Sequence, residues 1–215
     1  MCGLGCSVRS LVFPRGNSFA LLSFVFCLRI PNVSGPKKVA SVPLPDFTFV
    51  LGGAASGKSS FAEALCFQTD RPRVYIATAQ AFDDEMRNKI SAHRAQRGVD
   101  WRTVEAPLDL AAALLTCQSD EIVLLDCATL WLSNILLAEQ DPQAAGDALR
   151  AALAACPAQI VVVSNEVGHG IVPDNALARQ FRNAQGRLNQ MLAADADLVV
   201  NVIAGLPQVL KGELP

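Results

Sequence analysis

One octapeptide limits this chain more than any other feature. Gly52-Gly53-Ala54-Ala55-Ser56-Gly57-Lys58-Ser59 satisfies G-x-x-x-x-G-K-[ST]. It follows a short β-rich apolar run, Phe47–Leu51, and opens a helical stretch, Ser59–Phe67, with Phe61, Ala64, Leu65 and Phe67 expected toward the core. A strand, a glycine turn and a helix in that order converge backbone N–H groups on a phosphate at a helix N-terminus. Lys58 is placed to reach the β- and γ-phosphates, and the Ser59 hydroxyl to ligate Mg²⁺. The pattern indicates nucleoside-triphosphate binding and leaves the second substrate open.

The rest of the chain extends the strand–helix alternation. Strands are predicted at Val74–Ala77, Ile122–Leu125, Ile160–Val163 and Leu198–Ile203. Helices are predicted at about 82–96, Ala106–Cys117, Leu130–Glu139, Gln143–Ala155 and Asn175–Ala194. Short apolar runs without polar alternation are strands covered on both faces, hence a mainly parallel α/β sheet flanked by helices, a P-loop NTPase fold in a single domain. Ile122-Val123-Leu124-Leu125-Asp126 ends such a run in a carboxylate beside the phosphate loop, suited to holding Mg²⁺ directly or through water.

Charge divides the chain in two. Residues 1–45 carry five basic residues and no acidic ones, whereas 46–215 carry 13 basic and 20 acidic residues, a net of −7. The acidic body excludes an electrostatic nucleic-acid footprint. The apolar run Phe19–Leu28 is too short to cross a bilayer, so no stable membrane insertion is expected. Residues 1–45 read as an N-terminal extension, poorly ordered or translated ahead of the true start; a targeting segment and a functional arm are the alternatives. Residues 46–215 read as the catalytic domain. Seven cysteines form no CxxC array, and two histidines argue against a structural zinc site, which points to a reducing cytoplasm. Cys66, Cys117, Cys127 and Cys156 are expected to be small buried hydrophobes.

Two histidines compete for a chemical role. His93 lies three residues past Ile90, on the flank of the Phe82, Met86, Ile90 stripe, and precedes Arg94 and Arg97. An imidazole between guanidinium groups suits attack on phosphorus. His169, in Gly168-His169-Gly170, is the other candidate, and spacing alone does not choose between them.

The ordered set Gly52–Ser59, Ala77-Thr78-Ala79, Asp83-Asp84-Glu85-Met86, His93-Arg94, Trp101–Glu105, Leu124–Asp126, Ser164–Pro173, Arg179–Arg182 and Gly186–Gln190 resembles the bifunctional adenosylcobinamide kinase/adenosylcobinamide-phosphate guanylyltransferases of cobalamin biosynthesis. The resemblance spans about 47–211. It implies a RecA-like sheet, a homotrimer with sites near subunit interfaces, and a two-step activity. ATP or GTP phosphorylates adenosylcobinamide; GTP then gives GMP, through a guanylylated histidine, to adenosylcobinamide phosphate. The family histidine matches His93, with Lys58 as the other catalytic residue and Arg94, Ala95, Gln96 and Arg97 as nucleotide surroundings. Ala77, Thr78, Ala79, Glu105 and Asp126 match nucleotide-contacting positions, and Ser59 and Asp126 the Mg²⁺ ligands. Three positions depart from the pattern: Ala55 stands where arginine is frequent, Asp126 where glutamate is common, and His169 at a variable apolar position. A monofunctional P-loop small-molecule kinase and a non-catalytic nucleotide-binding regulator are the alternatives.

Overall fold

The computed structural model describes residues 43–80 and 100–215, which belong to one compact unit, Ala40–Pro215. The predicted helix at 82–96, with His93, Arg94, Ala95, Gln96 and Arg97, lies outside the described residues. So do residues 1–42, nearly all of the expected extension.

Seven strands form one sheet. They are β1 (Phe47–Gly52), β2 (Arg73–Ala77), β3 (Trp101–Glu105), β4 (Ile122–Asp126), β5 (Gln159–Asn165), β6 (Leu198–Ile203) and β7 (Leu206–Lys211), in the order β3-β2-β4-β5-β1-β6-β7. Every pairing is parallel except β6 with β7. Five described helices are α1 (Lys58–Phe67), α2 (Leu110–Leu114), α3 (Ala128–Leu137), α4 (Pro142–Ala155) and α5 (Ala176–Asp195).

Strand periodicity of two divides the apolar runs between the faces. Phe49, Val74, Ile76, Val123, Leu125, Ile160, Val162 and Val199 join the apolar sides of α2, α3, α4 and α5 in one core. Their neighbours Val50, Tyr75, Ile122, Leu124, Val161, Val163, Leu198 and Val200 join Ala62, Leu65 and Cys66 of α1 in the other. Both faces are thus dry, as the unbroken apolar runs require.

Local signals set most boundaries. Asp141 accepts from the Gln143 and Ala144 N–H groups ahead of α4, with Pro142 in its first turn, and Asn175 accepts from the Ala178 N–H ahead of α5.

The structure corrects several expectations. The helix predicted at Ala106–Cys117 is only Leu110–Leu114, because the Ala106 N–H bonds the Ala77 carbonyl and Asp109 caps the helix at the Ala112 N–H. On α1, Ala64 and Phe67 face solvent and Ala62 and Cys66 are buried instead. Phe67 stacks edge-on to Trp101 at 5.8 Å between centroids, with the Arg73 guanidinium 4.5 Å above its ring. Cys66, Cys117 and Cys127 are buried, but Cys156 is only half-buried. Sequence reading missed β3 and β7 because both are edge strands with mostly exposed residues and no continuous apolar run. The two-residue turn Ala204-Gly205, with φ of 52° and 79°, makes the β6–β7 hairpin.

Candidate active site

The phosphate loop leaves β1 at Gly52, and backbone sterics dictate its glycines. A Cβ at Gly52 would stand 2.5 Å from Ser56 Oγ and 2.7 Å from the Val202 carbonyl. Gly57 has φ +91°, a left-handed conformation that glycine adopts without strain, and a Cβ there would meet Gly205 Cα at 3.2 Å. The β6–β7 turn therefore sits directly on the loop, and the Gly205 N–H donates to the Ser56 carbonyl at 2.8 Å. Ala55 also has positive φ, 54°.

Gly57 is also the N-cap of α1. No side chain caps that helix and no acidic residue lies in its first turn. Its leading N–H groups and the positive end of its dipole are left for an anion. Lys58 is folded back over the loop, 9% exposed, with Nζ donating to the Gly53 carbonyl at 3.0 Å. The Ser56 hydroxyl is buried without a hydrogen-bond partner. The loop thus holds an ammonium group and an unsatisfied hydroxyl among convergent amides, a cradle for phosphate oxygens.

Asp126 ends β4, as expected, but β5 lies between β4 and β1, so its strand is one removed from the phosphate-loop strand. The Tyr75 hydroxyl donates to Asp126 Oδ2 at 3.3 Å and orients the carboxylate. Thr78 is fully buried; its hydroxyl donates to the Cys127 carbonyl at 2.8 Å and accepts from the Cys127 N–H at 2.9 Å. Asn134 Nδ2 clasps the Thr78 carbonyl at 2.8 Å. These bonds fasten Ala77–Ala79 to the end of β4, with Glu105 in register beside Ala77. Burial raises the Cys127 thiol to about 11 and the Cys66 thiol, on the buried side of α1, to about 12. Both thiols are protonated at neutral pH, which excludes thiolate chemistry from these two positions.

The Ser59 hydroxyl, in the first turn of α1, and the Asp126 carboxylate are hard oxygen donors of the kind Mg²⁺ takes. No group of three His, Cys, Asp or Glu side chains among the described residues could hold a metal alone. Such a donor set fits an ion that keeps waters and takes its remaining ligands from substrate phosphates.

Sequence reasoning assigned no chemistry to one feature of this edge. The Glu166 N–H donates to the Gly52 carbonyl at 3.0 Å, so the segment after β5 is tied to the start of the phosphate loop. Beneath it lies a buried polar network. Ser164 Oγ donates to Asn189 Oδ1 at 2.7 Å and lies 3.2 Å from Thr129 Oγ1, and Gln185 Nε2 donates to both Ser164 Oγ and Asn189 Oδ1 at 2.9 Å. Asn189 Nδ2 donates to the Asn165 carbonyl at 3.1 Å. Gln185 and Asn189, four apart on an otherwise apolar helix face, are the signal that would have found it. His169 is exposed in the turn above.

Comparison with known proteins now bears on this arrangement. Residues 48–210 match the family described as Cobinamide kinase / cobinamide phosphate guanyltransferase. The chain belongs to this family. It is 47% identical over 169 residues to the bifunctional adenosylcobalamin biosynthesis protein CobP of Pseudomonas aeruginosa, covering 76% of this chain and 96% of that protein. It is 45% identical over 180 residues to the CobU protein of Salmonella typhimurium, covering 75% and 98%. Solved structures superpose more loosely. A protein of Pyrococcus horikoshii OT3 gives a TM-score of 0.48 at 8% identity, covering 80% of this chain and 88% of that one. The RadB recombinase gives 0.41 at 14% identity, covering 74% of each. The fold assignment rests on the strand order and register. Among the described residues no helix is long and apolar enough to cross a membrane.

Proposed function

We propose that this chain carries out both steps of its family's chemistry on its own residues. In the first, the phosphate loop Gly52–Ser59 binds ATP or GTP. The hydroxyl oxygen of the aminopropanol arm of adenosylcobinamide attacks the γ-phosphorus, the bond to the β-phosphate oxygen breaks, and the hydroxyl proton is lost to solvent. Lys58 and the α1 amides neutralise charge on the transferred group. In the second step, a neutral His93 nitrogen attacks the α-phosphorus of GTP and pyrophosphate leaves. A phosphate oxygen of adenosylcobinamide phosphate then attacks the histidine-bound phosphorus. The P–N bond breaks, giving adenosylcobinamide-GDP and free His93. The reference pKa of imidazole, near 6.5, leaves a neutral nucleophile at cytoplasmic pH.

Ser59 and Asp126 would hold Mg²⁺, which supplies charge neutralisation on the phosphates when bound. Arg94, Ala95, Gln96 and Arg97 follow the nucleophile and surround the nucleotide, together with Ala77–Ala79 and Glu105. The enzyme works in the cytoplasm as a homotrimer, and its catalytic domain is the compact unit Ala40–Pro215, which takes in Leu44 ahead of the expected boundary at 46.

The observation that carries this reading is the bond from the Glu166 N–H to the Gly52 carbonyl. It joins the phosphate cradle to the Asn165-Glu166-Val167-Gly168 run, the most specific stretch of the resemblance. Mass spectrometry of the corrinoid products tests it. Adenosylcobinamide with ATP and GTP gains one phosphate and then one GMP. Product that stops at the phosphate leaves a monofunctional kinase.

A further inference from the structure

A cavity past the carboxyl end of β5 belongs to no step described above. It measures about 490 Å³ and lies between the turn after β5 and α5, lined by Gly168, Val172, Arg179, Arg182, Gly186 and Arg187 among others. Three guanidinium groups line it and no carboxylate does. Residues 179, 182, 183, 186, 187 and 190 recur at helical spacing on α5, apart from the buried side of Ala184, Gln185, Leu188 and Leu192. A Cβ at Gly186 would touch nothing within 4 Å, so the helix leaves open space at the centre of the arginine face.

The three arginines are differently committed. Arg182 Nη2 donates to the Gly168 carbonyl at 2.6 Å, and Arg179 Nη1 to the Pro173 and Asp174 carbonyls at 3.0 and 2.7 Å. These bonds shape the turn and leave most of both guanidinium forks free among the described residues. Arg187 makes no hydrogen bond or ion pair among the described residues. Beside this cationic pocket the turn presents bare apolar side chains, Ile171 at 97% and Val172 at 62% exposure. Such a site takes an anion carried on a bulky organic group. It also lies on the catalytic edge, since β5 pairs with β1 in the register Asn165 to Gly52 and ligands gather at the carboxyl ends of parallel strands.

We propose that this pocket binds the phosphomonoester of adenosylcobinamide phosphate, with Arg187 and the free forks of Arg182 and Arg179 on its oxygens and Ile171 and Val172 against the organic body. A dianionic monoester is the ligand geometry that planar guanidinium groups match best. The proposal rests on the two-step reading, because that reading makes a phosphomonoester the substance handed from kinase to guanylyltransferase. The pocket would keep the intermediate at the catalytic edge while GTP guanylylates the histidine.

Equilibrium dialysis, followed by corrin absorbance, tests it with adenosylcobinamide, adenosylcobinamide phosphate and GTP as separate probes. The intact protein should prefer the phosphorylated corrinoid to the alcohol. Arg187→Ala should weaken the phosphorylated form about tenfold, the loss of one charged hydrogen-bonding group, and so erase most of that preference. Arg187→Lys, which keeps the charge but not the fork, should fall between. Equal binding of the two corrinoids by intact protein overturns the proposal, as does equal weakening of both by Arg187→Ala. A loss confined to GTP assigns the pocket to nucleotide, and a changed oligomeric mass assigns it to a subunit interface; either also overturns it. Covalent labelling of the intact protein by GTP is measured alongside. Absent label refutes the two-step reading itself, whereas present label with unchanged corrinoid preference refutes only the pocket.

Discussion

Two of the helices that open onto the catalytic edge begin in opposite ways. Asn175 closes the N-terminus of α5 with its own side chain, whereas α1 begins at Gly57 with no side-chain cap. A capped helix has satisfied part of its leading N–H set internally; an uncapped one offers it to a ligand. The surroundings follow the same division. The α1 end is built from backbone, held by glycines and by the β6–β7 turn, with Lys58 as its one buried charge. The α5 side is built from side chains, with Gln185 and Asn189 of its middle turns locked to Ser164, and Thr129 beside them. One region is shaped to receive charge, and the other to hold the receiving region in place.

Substitutions sharpen the contrast, the largest effect first. Lys58→Ala removes the cradle's ammonium group, and γ-phosphoryl transfer should fall by about 10²–10³-fold in kcat. Undiminished kinase turnover would contradict the loop assignment. Gly57→Ala forces a side chain into left-handed backbone against Gly205 and should cost about 1–2 kcal/mol together with nucleotide affinity. Thermal melting and nucleotide titration would both register it. Gln185→Ala leaves buried partners in the network unsatisfied and should cost about 1–3 kcal/mol, read as a lowered Tm. If its melting temperature were unchanged, the network would not be a support. Asn175→Ala should cost about 1 kcal/mol of stability and leave nucleotide affinity as it was. An affinity loss there would break the division of labour between the helix ends.

The sequence was most legible where chemistry demands fixed residue types in fixed order. The phosphate loop, the β4 carboxylate and the continuous strands of the buried sheet follow from glycine sterics and from runs dry on both faces. Legibility failed at the edges. Trp101–Glu105 shows one buried residue and little apolar continuity, so its strand is defined by pairing with β2 and not by composition. The β6–β7 turn has an ordinary sequence, and its use as a prop for Ser56 and Gly57 exists only in three dimensions. The buried network was hidden for a related reason. Ser164, Gln185 and Asn189 are polar residues whose burial depends on partners 21 and 25 residues apart in sequence. Cys156 is a smaller case: its thiol donates to the Leu114 carbonyl at 3.7 Å, a link from the end of α4 to α2 that spacing does not reveal.

The central claim is that an uncapped phosphate loop and a histidine nucleophile act in one protein. GTP labelled at the α-phosphorus tests it most directly. With Mg²⁺ present, the full-length protein should acquire an acid-labile, alkali-stable covalent label that is lost in His93→Ala. A protein that binds GTP but takes no label, or a His93→Ala variant that labels as well as the intact chain, would contradict the account.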